Sequence, residues 1–140
     1  MSVKLAPGLL EALETLALQA APHEACAMLM GAPDHVVGHV PSPNVTEGDP
    51  ARHFEIDPAL LLRLHREARE GGPAIVGVWH SHPGGRPEPS DEDRARSVEP
   101  SWVWLITAVQ GGRCETRCWR ASEHQPGDLV EVRLAGNATK

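Results

Sequence analysis

Apolar positions recur every third or fourth residue over 7–20, where Leu9, Leu10, Leu13, Leu16 and Ala20 mark one stripe. That spacing predicts a packing helix with Pro7 near its first turn and no chemistry of its own. Pro22-His23-Glu24 interrupts the stripe, and residues 25–31 follow as a run of small and apolar side chains ending at Gly31. Ala, Leu and Met would suit a helix, but the flanking Pro22 and Gly31 favour a buried strand. A second strand over 35–40 should pair with it across the Ala32-Pro33-Asp34 turn.

Residues 41–53 hold Pro41, Pro43, Pro50 and Gly48 among polar residues, which predicts a loop long enough to border a site. Phe54-Glu55-Ile56 reads as a brief extended piece. Asp57 as N-cap and Pro58 in first position then open a helix running through Leu61, Leu64 and Ala68 to the stop at Gly71-Gly72. His65 and Arg66 in its later turns read as solvated. Residues 75–79 are uninterruptedly apolar, as in a strand buried on both faces. A helix from 90 to about 97 and an apolar strand over 102–109 come next. Gly111-Gly112 turns the chain into 113–121, where Cys114, Thr116 and Cys118 alternate with charged residues. A last alternating strand over 129–134 follows Pro126-Gly127-Asp128, and 136–140 is expected to fray. This mixture of strands and helices, without an internal repeat, is an α/β pattern.

Composition narrows the possibilities. A length of 140 residues fits one domain over 1–140, with a core of about 7–134. The formal net charge is −6 and no basic stripe appears, so nucleic acid is not an expected partner. No apolar run approaches the roughly 18 residues of a membrane span, and Met1-Ser2-Val3-Lys4 does not begin a leader. No membrane association and a cytoplasmic location are therefore expected. The three cysteines, Cys26, Cys114 and Cys118, make no disulfide framework. On one strand Cys114 and Cys118 would lie about 13 Å apart, out of reach of each other.

The chemistry concentrates between Val78 and Asp93. His80 and His82 are two apart on a strand end and converge on one face, with Ser81 turned away. Past the Pro/Gly-rich turn, Ser90 and Asp93 are three apart on one side of a first helical turn. Two imidazoles and a carboxylate are a complete protein ligand set for a catalytic zinc, leaving a fourth position for water. Two plainer readings stand beside this one. Ser90 with Asp93 also forms an N-terminal capping arrangement worth roughly 1 kcal/mol. Glu24, at the head of an apolar strand, is either a surface acid or the general base such a site needs; neighbouring His23 reads as exposed.

His80-Ser81-His82-Pro83, six further residues, Ser90, two residues and Asp93 reproduce in full the motif of the JAMM (MPN-plus) zinc metalloproteases, and Glu24 takes the family's early Glu position. The chain resembles the compact prokaryotic members of that family over roughly 7–134, with one departure: Ala27 stands where the family usually has glycine. The resemblance implies an α/β fold, a single JAMM/MPN domain with a curved mixed sheet flanked by helices and a cytidine deaminase-like core. It implies one zinc per chain on His80, His82 and Asp93, with Glu24 as general base and the Ser90 hydroxyl as donor to the oxyanion. It also implies hydrolysis of the peptide or isopeptide bond after the C-terminal glycine of ubiquitin-like or sulfur-carrier proteins. It leaves oligomeric state open.

Two other functions compete with this one. A zinc nucleobase deaminase needs His/Cys-x-Glu and Pro-Cys-x-x-Cys, whereas Pro22 precedes Glu24 by two and no proline leads Cys114. The other is a non-catalytic scaffold that binds a ubiquitin-like partner.

Overall fold

A computed structural model describes residues 2–135. In chain order the elements are β1 (Ser2–Leu5), α1 (Leu9–Ala20), β2 (Cys26–Ala32), β3 (His35–Ser42) and α2 (Pro58–Arg69). They continue with β4 (Ile75–Pro83), α3 (Asp91–Arg96), β5 (Val103–Gln110), β6 (Arg113–Ala121) and β7 (Leu129–Ala135). The strands lie in the order β1-β3-β2-β4-β5-β6-β7. β4 and β5 run parallel, β1 runs parallel to both β3 and β7, and the remaining pairs are antiparallel. The sheet is thus mixed and curved, as expected, with three helices beside it.

The curl goes further than the sequence implies. β1 closes the sheet by pairing on both sides, with Lys4 opposite His35 and Val3 opposite Leu134. Four residues are too short a pattern to read as a strand beforehand, although Val3 and Leu5 are buried and Lys4 is exposed in strict alternation. Pro7 also differs from expectation. Gly8 occupies the N-cap of α1 at φ 83, a left-handed conformation that glycine adopts freely, so Pro7 lies outside the helix. Asp57 does cap α2, its side chain accepting from the Ala59 amide. Residues 136–140 lie outside the described residues.

Two apolar layers form on the two faces of the sheet. One gathers Leu9, Leu13 and Ala17 of α1 with Ala27, Leu29, Val36, Trp79, Val103 and Leu105. The other gathers Leu64 of α2 with Met28, Phe54, Val78 and Trp104. Ala27 is fully buried, and its methyl belongs to the α1 layer. Polar groups inside the first layer are paired. The Trp79 indole N–H donates to Thr107 Oγ1 at 2.9 Å, and Thr107 and Thr116 share a 2.7 Å hydrogen bond. All three cysteines are free. Among the described residues no helix is long and apolar enough to cross a membrane.

β4 carries the central motif, and its parallel seating on β5 depends on Gly77. A Cβ built there would lie 1.9 Å from the Val103 carbonyl oxygen, in rigid strand backbone. Gly77→Ala is therefore expected to destabilise the protein by about 3 kcal/mol or more. Gly38→Ala, where a Cβ meets nothing within 4 Å, should stay within about 0.5 kcal/mol. Urea denaturation of the two variants checks both.

Candidate metal centre

The register of β2 on β4 brings the predicted residues together. Cys26 stands opposite His80, so Glu24, two residues earlier, arrives beside the end of β4. Ser81, turned away from the site and fully buried, fastens this junction. Its hydroxyl accepts from the Ala25 amide at 2.8 Å, and its own amide donates to the Ala25 carbonyl at 3.0 Å. On the outer side of Glu24, its amide donates to the Pro50 carbonyl and its carbonyl accepts from Asn44 Nδ2. The loop expected over 41–53, whose first two residues instead continue β3, thus borders the site and holds Glu24 in place.

Beyond β4 the chain reverses sharply. Gly84, at φ 72, gives its amide to the Val109 carbonyl, while Gln110 and the Trp119 indole donate to the Gly85 and Pro87 carbonyls. The reversal places the Arg86 carbonyl 2.8 Å from His82 Nδ1. With that nitrogen donating its hydrogen, His82 Nε2 is left with a free lone pair. The same turn delivers Ser90 as the N-cap of α3, and the capping box is present. Ser90 Oγ accepts from the Asp93 amide at 3.1 Å, and the Ser90 amide donates to Asp93 Oδ2 at 2.9 Å. The capping reading of Ser90 is therefore a structural fact. It leaves the hydroxyl hydrogen unused, and Ser90 is exposed.

Three ligand atoms meet at one point. His80 Nε2 lies 3.0 Å from His82 Nε2 and 3.1 Å from Asp93 Oδ2, and His82 Nε2 lies 3.3 Å from the same oxygen. A tetrahedral zinc with bonds of about 2.0–2.1 Å holds its ligands roughly 3.3 Å apart, so this donor set fits a divalent metal such as zinc. Glu24 forms a looser group with both histidines, all three ligand atoms lying within 4.8 Å of one another. Glu24 thus stands beside the tighter triangle.

The electrostatics follow from burial. Glu24 is 6% exposed, and burial pushes its carboxyl up to about 8; His82 opposes this while Asp93 and Glu92 add to it. Burial would also raise Asp93, but the two imidazoles and the Ser90 amide overcome it and hold this carboxyl well below the usual range. The fully buried His80 is shifted down by desolvation against the pull of Asp93. For His82, burial acts downward but is outweighed by Asp93 and the Arg86 carbonyl, and the net shift is up.

Several neighbours of the site carried no recognisable signal in the chain. Phe54 stacks on the His80 ring at 4.4 Å, and Trp104 meets it edge-on at 5.9 Å. His53 pairs with Glu92, and Arg96 pairs with Glu92 and donates to the Phe54 carbonyl. Apart from the i,i+4 pair of Arg96 with Glu92, these are contacts between distant segments.

A buried α/β site with two imidazoles and a carboxylate converging, and a second carboxylate alongside, defines a metal-dependent hydrolase type of centre. A family model described as prokaryotic homologs of the JAB domain matches residues 7–122. The desampylase of Haloferax volcanii is 34% identical over 104 residues, 73% of each protein. A probable TtuB-protein conjugate cleaving protease of Thermus thermophilus is 33% identical over 125 residues, 88% of this chain and 78% of that protein. The solution structure of a protein from Desulfitobacterium hafniense matches with a TM-score of 0.76 and 26% identity, covering 94% of this chain and 90% of that one. The chain belongs to the prokaryotic JAB-domain family, the compact branch of the JAMM/MPN proteins.

The raised Glu24 pKa has a consequence for stability. Between about 4.5 and about 8 the unfolded carboxyl ionises while the folded one keeps its proton. Rising pH over that window therefore favours unfolding. In chelator-treated protein, Glu24→Gln should gain thermal stability relative to the starting protein as pH rises through the window. A difference in Tm that does not change with pH would contradict the assignment.

Proposed function

We propose that this chain is a zinc-dependent isopeptidase that hydrolyses the bond after the C-terminal glycine of a ubiquitin-like or sulfur-carrier protein, as a single domain with one zinc. The observation that carries the reading is the convergence of His80 Nε2, His82 Nε2 and Asp93 Oδ2, with Glu24 beside them. The substrate class draws support from the relatives, whose names are a desampylase and a cleaver of TtuB–protein conjugates.

His80, His82 and Asp93 would hold the metal, which when bound lowers the pKa of a coordinated water towards about 7. The protein's part is to keep these donors in the required form. The Arg86 carbonyl fixes the His82 tautomer, and the Ser90 amide orients the ionised Asp93. Glu24, buried and outside the ligand triangle, is the general base. It takes the proton of the attacking water and passes it to the leaving amine. Ser90 Oγ already accepts from the Asp93 amide, so its hydrogen is free for the oxyanion that forms on the scissile carbonyl. Such a donor contributes roughly 3 kcal/mol to the transition state.

Incubation of zinc-loaded protein with ubiquitin-like fusions, followed by intact mass, tests the activity. Cleavage after the terminal glycine is expected, and zinc-replete protein that cleaves none of them would instead favour a scaffold. Within that assay the roles separate. His82→Ala and Asp93→Ala should lose the metal. Glu24→Gln should retain zinc and substrate binding yet turn over at least about a hundredfold more slowly. Normal turnover in Glu24→Gln would leave Glu24 a buried acid without a part in the reaction, and loss of zinc would make it a ligand.

Ser90→Ala distinguishes a cap from a cap that also donates. Loss of the cap alone costs about 1 kcal/mol of stability. The proposed double role adds a drop in kcat of about a hundredfold with zinc retained. Turnover close to that of the unsubstituted protein would leave Ser90 only its cap.

A further inference from the structure

The two ligand imidazoles are held in different ways. His82 Nδ1 donates to the Arg86 carbonyl, whereas His80 Nδ1 is buried without a protein partner. A ligand histidine ordinarily has its second nitrogen fixed by an acceptor, and that bond sets the rotation of the ring. His80 instead has the face of Phe54 laid against it, with centroids 4.4 Å apart and planes inclined by 17°. Phe54 is only 5% exposed although it comes from the segment between β3 and α2 and not from the sheet. That segment is tied down on both sides of the ring. Asn44 Nδ2 donates to the Glu24 and His53 carbonyls, His53 pairs with Glu92, and Arg96 donates to the Phe54 carbonyl. The Arg96 guanidinium carbon also lies 5.6 Å from the centre of the Phe54 ring.

We propose that Phe54 is a positioning residue for the metal ligand His80, its stacked ring doing for His80 what the Arg86 carbonyl does for His82. The inference rests on the reading of His80, His82 and Asp93 as the zinc ligands. A flat ring in contact over its whole face blocks rotation of the imidazole by sterics alone and keeps Nε2 aimed at the shared point. A leucine at 54 would keep most of the apolar volume and remove the flat face. His80 could then swing, at a cost to metal affinity and not to the fold.

The experiment is zinc affinity by competition with a chromophoric chelator, with the cobalt(II) electronic spectrum as a second readout. Phe54→Leu should bind zinc about tenfold to a hundredfold more weakly and show an altered cobalt spectrum. Leu64→Ala, in the same apolar layer, should lower Tm while leaving zinc affinity and spectrum unchanged. Arg96→Ala frees the Phe54 carbonyl without entering the core and should weaken zinc binding by a smaller factor; it decides the matter if Phe54→Leu does not fold. Unchanged zinc affinity in Phe54→Leu, or an equal loss in Leu64→Ala, overturns the proposal. Should Phe54→Leu not fold, unchanged affinity in Arg96→Ala overturns it instead. Failure of the unsubstituted protein to bind zinc would overturn the zinc reading as well, so that protein alone tells the two failures apart.

Discussion

The whole centre depends on the register between β2 and β4. Side chains alternate along a strand, so a slip of one residue would turn His80 and His82 to the wrong face and carry Glu24 away from them. The two hydrogen bonds between Ser81 and Ala25 secure that register at the end of the strand pair, where sheets usually fray. Pairing of β4 on its other side with β5 is equally constrained, by a contact at Gly77 that admits no side chain. The motif therefore sits on a strand whose register is held on both sides. Ala27 does not disturb it. Its methyl is absorbed into the α1 layer, and Glu24 still reaches the two histidines.

A second economy lies in Asp93. The same oxygen, Oδ2, accepts from the Ser90 amide and faces both imidazoles. Helix capping and the meeting of Asp93 with the two histidines are thus one arrangement. The result is a buried anion compensated on all sides, consistent with its lowered pKa. Glu24 is opposed only by His82 and Arg96, which do not outweigh its burial, and its proton affinity is raised in the metal-free site. Two carboxylates a short distance apart are in this way given different proton affinities by their surroundings.

Much of this was legible in the chain because it is local. The helix at 58–69 announced itself through Asp57, Pro58 and Gly71-Gly72, and the strand at 113–121 through its alternation. The His80-Ser81-His82 spacing and the Ser90–Asp93 spacing translated directly into faces of a strand and of a helix. What escaped was non-local. β1 is four residues long and becomes a strand only because β3 and β7 offer it partners on both sides. Phe54 lies in a segment without periodicity, and its place against His80 is set by Asn44, Glu92 and Arg96, contacts that no local pattern encodes. Spacing alone made Glu24 no more than an acid ahead of an apolar run; the base role came from the family resemblance, and the β2–β4 register puts it beside the histidines.

The account stands or falls on which carboxylate completes the metal site, since Glu24 and Asp93 both lie near His80 and His82. Anomalous diffraction at the zinc edge from crystals of the metal-loaded protein addresses this directly. The account predicts one peak about 2.0–2.2 Å from His80 Nε2, His82 Nε2 and an Asp93 carboxylate oxygen, with Glu24 beyond bonding distance. A peak ligated by Glu24 in place of Asp93, or one lying away from the two histidines, would contradict it.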